Sequence, residues 1–177
     1  MATVVGMESE FWLARSLKQG SDQAFEVLYA QQYRSVYALA LRLLCDPGTA
    51  EDVVQEVFIS VWRGIKGFRG EGSILQWMHT ITVRTAIRRW QHHPEVQLDE
   101  EMILRYEQTA TRVFPDIRIQ LERAIAMLQA GARTVLLLHD VYGHTHSEIA
   151  ALLDVAVGTV KAQLHRARNL MKQELQR

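Results

Sequence analysis

Apolar side chains recur every three to four residues along nearly the whole chain, and the period-two alternation of strands is missing. That pattern predicts an all-α protein. The three prolines, Pro47, Pro94 and Pro115, each fall at a boundary between periodic segments. A first helix is expected over residues 8–18. Ser21 or Asp22 then caps a long one reaching about Leu44. "CDPGTAED" breaks the chain, and Thr49, three residues before Asp52, offers a loose capping box for a helix running to about Ile65. "KGFRGEGS" reads as a glycine-rich loop, with Ser73 capping a fourth helix to about Trp90. Residues 91–115 read as a flexible linker with one short helix at Glu100–Tyr106; extended, its roughly 25 residues span roughly 80 Å. Beyond Pro115, helices are expected at 116–129, 132–140, 146–153 and 157–175.

The last two helices form a pair. Thr145 and Glu148 make a T-x-x-E capping box, Ile149, Leu152 and Leu153 form the apolar face, and "DVAVG" is a turn of helix-turn-helix length. On the second helix, steps of 100° place Val160, Leu164, Ala167 and Met171 on one stripe. The opposite face presents Thr159, Ala162, Gln163, His165, Arg166 and Asn169, flanked by Lys161 and Arg168. Amides and arginines read base edges while cations grip phosphates, so this face suits a major groove. A solvated, charged surface is the plain alternative. The turn lacks a polar N-cap, because Ala156 stands where Ser or Asp would be expected.

Charge sharpens the picture. The 177 residues carry 20 basic and 20 acidic side chains, so no basic coat covers the whole protein. The charges are segregated, however. Residues 61–92 hold Arg63, Lys66, Arg69, Arg84, Arg88 and Arg89 against Glu71 alone. An acidic stretch at 93–115 separates this belt from a weaker basic C-terminal segment, the layout expected of two phosphate-binding patches. The lone Cys45, beside Leu43 and Leu44, excludes an internal disulfide and reads as a core thiol. Neither a signal peptide nor a run of 18 apolar residues is apparent, so a cytoplasmic protein without membrane insertion is expected.

Two further stretches carry chemistry. On "EDVVQEVFISVWRG" the residues Val53, Val54, Val57, Phe58 and Val61 face inward, while Asp52, Gln55, Glu56, Ile59 and Arg63 face outward with Trp62 at the border. An isoleucine ringed by carboxylates suits a protein interface, or else packs on a neighbouring helix. In "FRGEGSILQWMHTITVRTAIRRW" the aromatics Phe68, Trp77 and Trp90 interleave with Arg69, Arg84, Arg88 and Arg89. Aromatic faces stack on unpaired bases while cations follow the backbone. A core position is the commoner role for a helix tryptophan such as Trp77, whereas no acidic residue lies nearby to pair with the arginines.

The segments "TAEDVVQEVFISVWRGIKGFRGEGSILQWM" and "HSEIAALLDVAVGTVKAQLHRAR", in this order, resemble regions 2 and 4 of the extracytoplasmic-function (ECF) sigma factors. The resemblance runs from about Ser21 to the end. It implies two small helical domains, at 21–92 and 116–177, joined by a linker at 93–115 and preceded by an extension at 1–20. It further implies a non-enzymatic subunit that joins bacterial RNA polymerase core, reads promoter DNA and helps to open it, without cofactor, metal or small-molecule substrate. Asp52, Gln55, Glu56, Ile59 and Trp62 would meet the clamp helices of the largest polymerase subunit, with the flap as a further polymerase contact. Phe68, Arg69, Trp77, Arg84, Arg88 and Arg89 would serve the −10 element. Thr159, Lys161, Ala162, Gln163, His165, Arg166 and Arg168 would serve the −35 element. An anti-sigma factor is an expected partner. The chain departs from the usual pattern at Arg84 and Arg88 (for Asn and Asp), at Ala162-Gln163 (for Ser-Arg) and at "LQAGAR", which lacks the usual "LP". Promoter preference is therefore not transferable.

Rival readings are a stand-alone helix-turn-helix regulator, a metal site on His139, His144, His146 and Glu148, and nucleophilic chemistry at Cys45. The first would need a dimerisation or effector domain. In the second, Glu148 is already committed to a cap.

Overall fold

Local capping chemistry sets where each helix begins. In the computed structural model, which describes residues 11–70, 72–92, 100–114 and 119–176, each segment where apolar periodicity predicts a helix holds one among the described residues, while residues 8–10 and 116–118 of the expected helices lie outside them. The described part of α1 covers residues 11–18. Ser21 Oγ accepts the Ala24 N–H and opens α2, Asp22–Leu44, so of the two candidate caps it is the serine that acts. α2 ends where Cys45 turns left-handed (φ 55°) and its N–H donates to Leu41 O.

α3, Pro47–Gly64, begins earlier than the Thr49 capping box implies. Its N-cap is Asp46, whose carboxylate accepts the Thr49 N–H at 2.7 Å, and Pro47 occupies the first turn, where a missing N–H costs nothing. Thr49 is thus inside the helix. Ser73 and Gln76 cap α4, Ile74–His92, reciprocally: Ser73 Oγ accepts the Gln76 N–H and Gln76 Oε1 accepts the Ser73 N–H.

Helix α5, Glu100–Val113, is longer than the short helix expected at 100–106. Its Ile103, Tyr106 and Ala110 are buried, so this part of the linker region is packed against the rest of the protein. α6, Ile119–Met127, is followed by α7, Ala130–Leu136, which passes directly into a π-turn at Leu137–Val141. α8, His146–Leu153, carries the predicted Thr145/Glu148 capping box, and α9, Val157–Leu175, has Ala156 at its N-cap and so no side-chain cap.

Two apolar clusters organise these helices. The first joins Leu28, Val36, Val53, Val57, Phe58 and Met78 with Tyr106 and Ala110 of α5. The second joins Leu137, Ile149 and the α9 stripe Val160, Leu164, Ala167 and Met171 with Leu39 and Leu43 of α2 and Val83, Ala86 and Ile87 of α4. Helices α2 and α4 therefore contribute to both clusters. Full burial of each large aliphatic side chain stabilises by about 1.5–3 kcal/mol.

Polar ties cross the same boundary. Arg42 of α2 binds Glu122 of α6 through Nη2 at 2.7 Å and Nε at 3.2 Å, and its guanidinium lies 3.7 Å from the Phe114 ring centroid. The Tyr106 hydroxyl donates to the same carboxylate. Buried Arg133 donates to the carbonyls of Leu43, Ala126 and Leu128. Among the described residues, no helix is long and apolar enough to cross a membrane.

Candidate nucleic-acid interface

Helix α9 buries the four residues its periodicity assigns to the core and leaves the opposite face open. Thr159, Lys161, Ala162, His165, Arg166 and Arg168 are exposed there, while Gln163 is half-buried. A Cβ placed on Gly131 would lie 3.3 Å from Gln163 Nε2, so the amide rests against the start of α7. Its Oε1 is buried without a hydrogen-bond partner among the described residues. His165 and Asn169 join at 3.0 Å, one turn apart on the open face.

Arg168 is engaged in a way the linear sequence does not reveal. Its Nε and Nη2 donate to Asp140 Oδ2 and Oδ1 at 3.0 and 2.5 Å. The hydrogen bond from Arg168 chiefly holds the Asp140 carboxyl below its ordinary pKa, aided by His139 and opposed by burial. Asp140 can reach α9 because it sits in the π-turn, where the extra residue per turn redirects side chains. His139 Nδ1 lies 2.7 Å from Asp140 Oδ1, and the His139 ring lies 4.6 Å from that of His146. Glu148 is spent on its cap, its pKa lowered by hydrogen bonds from the Thr145 backbone and hydroxyl. Among the described residues, no three His, Cys, Asp or Glu side chains assemble into a metal site. Cys45 is fully buried, and burial pushes its thiol up to about 11, far from a nucleophile's range.

The mid-chain basic belt is divided by α4. Arg84 and Arg88 project from one side and are exposed, with Arg88 Nη2 donating to Thr85 Oγ1 at 3.3 Å. Arg89 turns the other way and pairs with Glu56 and, at 3.9 Å, with Asp52 of α3. The expectation that no acid would pair with these arginines is therefore corrected for Arg89: two carboxylates distant in sequence reach it once α3 lies beside α4. Arg69 is exposed in the preceding loop. Phe68 is buried and Trp77 half-buried, their rings 5.2 Å apart against the first cluster.

On α3, Asp52 and Gln55 are exposed, Glu56 is half-buried beside Arg89, and Ile59 is 50% exposed. Trp62, 38% exposed, meets Phe25 of α2 edge-on at 5.0 Å. Phe25 continues into Tyr29, Tyr33 and Tyr37 at four-residue spacing, with Tyr29 also against Phe58 at 4.6 Å. This aromatic row extends the exposed ridge onto a second helix. Its i, i+4 spacing was present in the sequence, although the contact with Trp62 was not. Asp140 had no such signal.

Comparison with known proteins follows the same division. The family description "Sigma-70 region 2" matches residues 28–93, and "Sigma-70, region 4" matches residues 118–171. The chain is similar to the RNA polymerase sigma-H factor of Pseudomonas aeruginosa, with 26% identity covering 96% of this chain and 95% of that one. It is 27% identical to the ECF RNA polymerase sigma-E factor of Escherichia coli K12, covering 93% of each. Its fold resembles the sigma factor RpoE solved in complex with the anti-sigma factor NepR from Bartonella quintana (TM-score 0.61, 22% identity, 86% of this chain and 96% of that one). It also resembles CnrH in complex with the cytosolic domain of CnrY (TM-score 0.60, 24% identity, 94% and 97%).

Proposed function

This chain belongs to the extracytoplasmic-function sigma factors, and on that premise we propose that it joins bacterial RNA polymerase core and directs it to promoters through two separate DNA-contacting surfaces. It acts as a transcription initiation factor. We assign residues 21–92 to core binding and −10 recognition, and residues 116–177 to −35 recognition. Within the first module, the ridge of Asp52, Gln55, Glu56, Ile59 and Trp62 meets the polymerase clamp helices. Arg84 and Arg88, with Arg69 in the loop before them, grip the melted −10 strand. In the second, the open face of α9 enters the major groove at the −35 element.

The observation carrying this reading is the pairing, within one chain, of an exposed apolar-acidic ridge on α3 with an open polar face on α9. A stand-alone helix-turn-helix regulator has no use for the former. Extruding a base from a duplex costs a few kcal/mol, which contacts to the displaced strand must offset. We extend regulation by an anti-sigma factor to this chain from RpoE, which was solved in complex with the anti-sigma factor NepR.

Run-off transcription with core enzyme tests the proposal. Wild type should confer start-site selection. Arg84→Ala should impair strand opening on duplex templates and recover on templates melted beforehand, while Arg166→Ala, exposed on the open face of α9, should change −35 recognition alone. Failure of the wild type to bind core, or to direct initiation from any fragment of its own genome, refutes the assignment.

A further inference from the structure

Where α4 passes the end of α8, the two modules leave a cleft of about 520 Å³. That is within the roughly 300–1,000 Å³ of small-molecule sites, which favour interfaces between domains. Its wall is divided by chemistry. Ile81 and Ile87 of α4 face Leu152 and Leu153 of α8, forming an apolar floor. Arg84 and Arg88 stand above it on α4, and Asp154, left-handed at φ 54°, lies opposite. Residues four apart on a helix have Cβ atoms about 5–6 Å apart, so side chains as long as Arg84 and Arg88 can converge on one small anionic head, Arg88 by giving up its bond to Thr85.

The contrast along α4 is informative. Arg89 is neutralised by Glu56 and Asp52, yet no described carboxylate lies within 4.0 Å of Arg84 or Arg88. Two unpaired cations over an apolar floor complement an anion that carries a hydrophobic tail. From this charge pattern and the apolar lining beneath it, we infer that the cleft binds a small amphipathic organic anion, its head between Arg84 and Arg88 and its tail against Ile87 and Leu153. A ligand held there touches both modules at once. It also occupies the two arginines that the proposed function assigns to the −10 strand, so it opposes strand capture.

Titration calorimetry on the full chain, with sodium decanoate as probe, tests the site. Decanoate should bind at one saturable site, at least tenfold more tightly than decyltrimethylammonium, which has the same tail and the opposite charge. Acetate, which lacks the tail, should bind at least tenfold more weakly than decanoate. Arg84→Gln/Arg88→Gln should weaken decanoate at least tenfold, whereas Arg63→Gln, an exposed cation outside the cleft, should not. Both arginines are exposed, so the double variant is expected to fold, and the comparison of decanoate with its cationic counterpart needs no variant at all. Equal binding of the two tails, several weak sites, or undiminished binding to the double variant overturns the inference. Competition against a single-stranded oligonucleotide separates this inference from the reading it adjoins. Decanoate that binds as described but leaves the oligonucleotide bound contradicts strand capture by α4 and supports the cleft as a site in its own right.

Discussion

Replacing Glu122 by alanine should destabilise the protein far more than a typical charge removal. Glu122 is 2% exposed and takes hydrogen bonds from Arg42, itself only 11% exposed, and from the Tyr106 hydroxyl. Alanine leaves a guanidinium and a phenol in the interior without their shared acceptor. Removing one partner of a buried ion pair costs about 3–5 kcal/mol, against about 0–1 kcal/mol for an exposed pair. For a chain of this size each kcal/mol lowers the melting temperature by roughly 2–4 °C, so a fall of about 10 °C is expected. Urea unfolding followed by far-UV circular dichroism measures the difference directly. Because Arg42 lies on α2, Tyr106 on α5 and Glu122 on α6, wild type should unfold in one transition across both modules. Arg42→Met/Glu122→Leu should regain most of the loss, since two apolar side chains leave no charge stranded. A cost below about 1 kcal/mol for Glu122→Ala, or a double variant weaker than the single, refutes the reasoning.

Three further outcomes follow from the same structure. Burial first, and then the nearby His144, lower the His79 pKa from 6.5 to about 4; its Nε2 is 3.1 Å from Ser35 Oγ and its ring meets Tyr142 at 5.0 Å. The unfolded chain takes up this proton near pH 6.5 and the folded one only near pH 4, so stability is lost as pH falls through that window. Urea midpoints at pH 7 and pH 5 should show the drop, and His79→Gln should reduce it. Cys45, fully buried with its thiol pushed up to about 11, should resist iodoacetamide at pH 8 until the protein is unfolded, as mass spectrometry of the alkylated chain would show. Asp140→Asn should release Arg168 for phosphate, steepening the salt dependence of duplex binding by about one unit in log–log slope. An unchanged slope would mean that Arg168 never reaches the backbone.

Much of this was legible in the sequence because it is local. Helix positions follow from a 3.6-residue repeat, and the Thr145/Glu148 and Ser73 caps lie within three residues of their partners. The buried stripe of α9 is likewise a property of one helix. The Asp46 cap was less legible, because Asp46 and Thr49 both offer capping oxygens. Pro47 decides between them: it belongs at the first helical position, which makes the residue before it the cap.

What escaped the sequence lies between helices rather than within them. Periodicity says that Leu39 and Leu43 are covered but not by what, and the structure covers them with the module that holds α9. Glu122 resembles a solvated carboxylate in a first turn until Arg42, 80 residues earlier, closes on it. Arg89 and Arg88 are neighbours in the chain, yet the 100° step between them sends one to the carboxylates of α3 and the other to the cleft beside α8. Net charge over a segment therefore overstates the cations available to DNA. The belt at 61–92 loses Arg89 to Glu56, and α9 lends Arg168 to Asp140. Phosphate contacts should accordingly be fewer than the arginine count suggests, with each remaining one, Arg84, Arg88 and Arg166 above all, carrying a larger share of the salt dependence.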